Sequence, residues 1–127
     1  MKDMTDITLY ECQQLVDEWV NTIGVRYFSE LTNLAQLVEE VGEVARILSR
    51  RYGDQSMKPL EKESDLADEL ADVFFVLCCL ANQIGIDLTD AFHRNLAKKT
   101  RRDQGRHLNN PKLSPKGSSS PYETGDF

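Results

Sequence analysis

Two pairs of carboxylates stand at the same helical spacing. Glu40 and Glu43, within Glu39-Glu40-Val41-Gly42-Glu43, are three residues apart, and so are Glu69 and Asp72. Side chains three apart share one helix face, with Cβ atoms about 5–6 Å from each other. Two such helices side by side deliver four carboxylates to one point. Hard oxygen ligands in that number suit magnesium or manganese rather than zinc.

The plainer reading is a solvated helix surface, and any single pair of glutamates is usually that. Two features weigh against it. Like charges at this spacing repel, so repeating the pattern on two helices needs a reason. Behind Asp72 runs Val73-Phe74-Phe75-Val76-Leu77-Cys78-Cys79-Leu80-Ala81, apolar on every side. A helix apolar all round is buried all round. Val76 and Cys79 continue the face of Glu69 and Asp72, so the acid face leads into the interior, where carboxylates need a partner. On the residues alone, metal site and solvated surface stay evenly matched.

Positive charge gathers further along. Asn95, Lys98 and Arg102 fall at i, i+3 and i+7, and Arg106 extends the stripe. It reads either as a basic helix end complementing the helix dipole or as a phosphate grip. Acids for metal beside bases for phosphate is the division of labour of phosphoryl chemistry. Trp19, Tyr27 and Phe28 precede the acid helix. Trp19 is expected in the core, whereas Tyr27 and Phe28 sit in a connector and offer a wall for a stacked base. Rival chemistries lack their residues. There is no Glu-x-x-His motif for a di-iron bundle, no P-loop, and only His93 and His107 as histidines.

Four helices must position these groups. The first is predicted from about Ile7 to Ile23, with Asp6 or Thr8 as cap. The second runs from Glu30 to Tyr52 behind a Ser29 cap and stops at Gly53. The third starts near Ser64, after a loop containing Pro59, and ends at Gly85. The fourth follows an Asp87 cap and reaches about Gly105. No β-alternation is long enough to predict a strand, so the expected fold class is all-α, a four-helix-type antiparallel bundle. Residues 1–107 form the expected domain, and 108–127, rich in Ser, Pro and Gly, a disordered tail.

A length of 127 residues suits one domain, and so small a core favours self-association. The net charge of −6 argues against a nucleic-acid polymer as partner. The three cysteines form no CxxC pair, which fits a reducing cytoplasm. The N-terminus shows no signal-peptide core, and the nine-residue apolar run falls short of the roughly 20 residues that span a bilayer.

The segments Leu37-Val38-Glu39-Glu40-Val41-Gly42-Glu43-Val44-Ala45 and Asp68-Glu69-Leu70-Ala71-Asp72-Val73 together resemble the MazG-like nucleoside triphosphate pyrophosphohydrolases, whose pattern is EExxE followed by ExxD. The likeness covers roughly Tyr27 to His107 and points to the small single-domain bacterial branch. It implies an oligomeric all-α fold, a homodimer or homotetramer, with magnesium, or manganese, held by Glu40, Glu43, Glu69 and Asp72. Glu39 would support them or orient the attacking water. Lys98 and Arg102 would hold the phosphates, with Asn95 and Phe28 as further substrate contacts. The implied reaction splits the α–β phosphoanhydride of a nucleoside triphosphate, deoxy or non-canonical, giving monophosphate and pyrophosphate in nucleotide-pool cleaning. The competing class is a non-catalytic helical interaction module that keeps the acids for structure or metal-dependent folding.

Overall fold

The computed structural model describes residues 5–56 and 66–113. Among them are four α-helices and no strand: α1 (Leu9–Thr22), α2 (Glu30–Arg51), α3 (Leu66–Gln83) and α4 (Leu88–Asp103), followed by a single 3-10 turn at Pro111–Leu113. The all-α expectation holds. The expected start of the third helix at Ser64, the loop around Pro59 and the tail beyond Leu113 lie outside the described residues. The chain divides into two compact units, Met1–Asp90 and Ala91–Phe127.

Local chemistry sets the helix ends. Thr8, not Asp6, caps α1: its backbone is extended and its hydroxyl accepts from the Glu11 N–H. Ser29 caps α2 the same way, accepting from Thr32 N–H. Such caps satisfy amides that a helix leaves orphaned, and each contributes about 1 kcal/mol. α3 closes on a Schellman motif. Gly85, at φ +72, lets Ile86 N–H reach the Ala81 carbonyl at 2.9 Å while its own N–H meets Asn82 O at 3.3 Å.

In the first unit α3 is central, packing against both α1 and α2. The core joins Val16 and Val20 of α1 to Cys78 and Cys79 of α3, with Tyr27, Phe74, Phe75 and Leu88 against it. Burial of a valine side chain contributes about 1.5–3 kcal/mol, so this short list supplies limited stability. The apolar run of α3 is not covered on all sides by its own chain. Leu77 is 40% exposed, while Cys78 is fully buried.

Buried carboxamides tie the layers together. On α1, Gln13 donates to Asn82 Oδ1 (3.1 Å) and Ile86 O (2.8 Å) and accepts from Leu88 N–H (2.8 Å). Asn82 donates back to Gln13 O at 2.9 Å and to the Tyr27 hydroxyl at 3.0 Å. Tyr27 in turn donates to Asp17 Oδ1 at 2.6 Å. Burial, then the bond to Asp17, pushes the Tyr27 hydroxyl up to about 12, so it stays a donor at neutral pH. Tyr27→Phe removes both bonds, and it is expected to lower unfolding free energy by about 1–2 kcal/mol. Urea denaturation checks this; an unchanged midpoint would show the network to be dispensable.

In the second unit no residue of α4 is buried. Asp103 accepts from Arg102 at 2.7 Å and from Arg106 at 3.1 Å. The Arg102 hydrogen bond, joined by that of Arg106, holds the Asp103 carboxyl down to about 2. Turns and the 3-10 turn carry the chain through Leu113.

Candidate functional site

α2 and α3 run antiparallel, and each turns one stripe, polar on α2 and part polar on α3, toward their seam. On α2 the stripe is Asn33, Gln36, Glu40 and Glu43. On α3, in the opposite sense, it is Gln83, Cys79, Val76, Asp72 and Glu69. Steps of three and four keep every member on one face.

Glu40, Glu69 and Asp72 each bring one carboxylate oxygen within 4.8 Å of the others, in a partly buried setting. Glu43 lies close enough to act on this group by charge. Its carboxylate, however, accepts two bonds from Arg46, at 2.9 and 3.1 Å. Glu39 is exposed on the flank of the stripe. Asp68, which sequence reasoning missed as a site residue, also contributes repulsion at Glu40 and Glu69. Its place one residue before the ExxD pair was the available signal.

Electrostatics mark the cluster as unfinished. Burial, followed by the charges of Asp72 and Glu43, lifts the Glu40 carboxyl above the usual carboxylate range. Glu69 is lifted by burial first and then by Asp72, Glu43 and Glu40. Three converging anionic oxygens make a donor set that fits a hard divalent ion. Such an ion would supply charge neutralisation for phosphate oxygens at this point.

A cavity of about 170 Å³ opens beside the cluster. Glu40 and Asp72 form one end, Asn33 lies toward the other, and Trp19, Tyr27, Phe28 and Phe75 are among its walls. Trp19 was expected in the core and is instead 46% exposed, its ring edge-on to Phe75 with centroids 5.5 Å apart. Trp19 lines this cavity, so part of its ring faces open space rather than packed side chains. The connector turns sharply: Val25 sits at φ +71, and Arg26 N–H meets Gly24 O at 2.9 Å. A β-branched residue in that region is strained. The turn delivers Tyr27 and Phe28 to the cavity. Asn95, Lys98 and Arg102 are exposed on α4 in the second unit, where Arg102 is bound to Asp103.

Comparison with known proteins gives the family and the fold. The family model of the MazG nucleotide pyrophosphohydrolase domain matches residues 28–107. Protein YpjD of Bacillus subtilis (strain 168) is 40% identical over 103 residues, covering 81% of this chain and 93% of YpjD. Protein YvdC of the same organism is 29% identical over 101 residues. The crystal structure of YpjD superposes with a TM-score of 0.67 over 75% of this chain and 97% of that one. A crystal structure of the Bacillus-conserved MazG protein, a nucleotide pyrophosphohydrolase, matches at 35% identity with a TM-score of 0.61, covering 75% and 91%. The chain belongs to the MazG nucleotide pyrophosphohydrolase family. No single helix among the described residues is long and apolar enough to cross a membrane.

Proposed function

We propose that this chain hydrolyses nucleoside triphosphates to the monophosphate and pyrophosphate, using a divalent ion, magnesium or manganese, held by Glu40, Glu69 and Asp72. The observation that carries this reading is the continuity of one cavity from aromatic rings to converging carboxylates. A base stacks on aromatic faces while its phosphates are drawn to the metal end. Glu43 would join the ligands by giving up its Arg46 partner, and Glu39 would support them. Trp19 and Phe28 hold the base and limit water around it. The phosphate-binding role of Asn95, Lys98 and Arg102 is a proposal carried by the sequence resemblance. Chromatography of products from a panel of deoxy and ribonucleoside triphosphates tests the reaction. Monophosphate with pyrophosphate is expected. Diphosphate with orthophosphate would refute the assigned bond, and no turnover by a folded protein would favour the interaction-module alternative.

The working form is proposed to be a homo-oligomer. α2 carries Leu31, Leu34, Val38, Val41 and Leu48, and its C-cap is Tyr52, all exposed and spaced by three, four or seven residues along one stripe. Val38 alone is 65% exposed. α3 adds Leu70 and Leu77, with Ile84 just past its end, at intervals of seven. Such seams are self-complementary, and a second copy closes them. Light scattering of the wild type at micromolar concentration is expected to show a dimer or tetramer, and Val38→Glu a monomer. A monomeric wild type would refute the assembly.

A further inference from the structure

The end of the cavity opposite the acids holds a hydrogen-bond acceptor whose direction is dictated by its neighbours. The Phe28 carbonyl can only accept. Gln83 Nε2 donates to it at 2.6 Å, which turns Gln83 Oε1 the other way. That oxygen accepts from Asn33 Nδ2 at 2.8 Å, and the same nitrogen faces Phe28 O at 3.5 Å. The nitrogen side of the Asn33 carboxamide is therefore committed. Its Oδ1 makes no hydrogen bond to the described residues, yet it is not sealed from solvent. Asn33 itself is only 5% exposed and lines the cavity. An acceptor that the protein leaves without a partner is one that a ligand donor can fill in exchange for water.

Position adds the second half of the argument. Asn33 stands seven residues, about 10 Å along the α2 axis, from Glu40. A nucleotide whose phosphates lie at the acids points the far edge of its base toward Asn33. The atom furthest from the sugar is the substituent at position 4 of a pyrimidine or position 6 of a purine. An amino group there donates to Asn33 Oδ1. An oxo group there sets acceptor against acceptor and leaves both desolvated.

We propose that Asn33, oriented by Gln83 and the Phe28 carbonyl, selects nucleotides with a 4-aminopyrimidine or 6-aminopurine base over their oxo counterparts. Asn33 is the specificity residue and Gln83 its positioning residue. The inference rests on the nucleotide reading given above and narrows it to a substrate class.

Equilibrium binding of non-hydrolysable α,β-methylene triphosphates to the full chain with magnesium tests it. The pairs are the cytosine and uracil deoxynucleotides and the adenine and hypoxanthine deoxynucleotides. In whichever base class binds, the amino member should bind about tenfold more tightly. Asn33→Leu should bring that ratio to about one by weakening the amino member. Gln83→Met frees the carboxamide to rotate, and should narrow the ratio by improving the oxo member. A merely structural role would weaken both members alike and leave the ratio intact. Equal binding within a pair by the wild type, preference for the oxo member, or no binding of any analogue overturns the assignment. Product chromatography on the hydrolysable nucleotides separates the two claims. Discrimination without α–β cleavage removes the activity and keeps the base assignment, and cleavage without discrimination does the reverse.

Discussion

Glu40→Gln is expected to lower turnover of nucleoside triphosphates by about 10²–10³-fold, the loss typical when a preorganised charge at the reacting centre is removed. Glu40 belongs both to the converging carboxylates and to the cavity wall. The substitution keeps shape and hydrogen-bonding capacity and removes one negative charge. Without metal, that charge is a burden: burial and the charges of Asp72 and Glu43 already lift this carboxyl above its ordinary range. The metal-free variant should therefore melt no lower than the wild type, and its melting temperature should rise if repulsion is strong. Loss of activity with retained or improved stability is the signature of a site residue. Activity within twofold of wild type would return the acids to the status of solvated helix surface.

Magnesium should raise the melting temperature by on the order of 10 °C at a hundredfold excess over its dissociation constant. Binding to the folded state alone contributes about 2.7 kcal/mol there, and about 4 °C accompanies each kcal/mol in a chain of this size. The effect has a definite pH dependence. Raised carboxyl values for Glu40 and Glu69 mean that the folded state binds protons more tightly than the unfolded chain. Metal-free stability from these groups thus falls as pH rises from the ordinary carboxylate range through the raised folded values, and remains lower above them. The ion competes with those same protons. Its stabilisation should be small near the ordinary carboxylate range and full at neutral pH, and Asp72→Asn should abolish most of it. Differential scanning calorimetry with and without chelator reads both trends. A melting temperature indifferent to millimolar magnesium and manganese would show that the cluster holds no such ion.

Much of this architecture was legible in the chain because its signals are local. Caps at Thr8 and Ser29, the glycine at 85 and the recurrence of apolar residues give helix ends and faces without tertiary knowledge. The acid pairs were legible for the same reason, since spacing on one helix decides which side chains share a face. What spacing cannot give is which rotamers converge. Glu40, Glu69 and Asp72 meet, whereas Glu43 takes Arg46 one turn along its own helix. Trp19 was misplaced because periodicity reports an apolar face, not whether the same chain covers it. The carboxamides Gln13, Asn33, Asn82 and Gln83 escaped notice because amides carry no charge pattern. Asn33 and Gln36 do, however, extend the register of Glu40 and Glu43 toward the helix start, and polar residues on an inward register were a readable sign.

Val20, Phe75, Val76 and Cys79 line the cavity, and all four also belong to the core or pack on it. Trimming any of them to admit a bulkier base removes core burial, and for Val20, Phe75 and Cys79 it is the burial that holds α1 on α3. The lining residues Arg26, Phe28 and Gln36 carry less of that burden, since the first two are exposed and the third is half-buried. Routes to new nucleotides are therefore uneven. Changes at these three positions cost little folding free energy, whereas those along α3 must be matched by repacking elsewhere. Divergence in substrate choice should accumulate on the exposed lining rather than on α3.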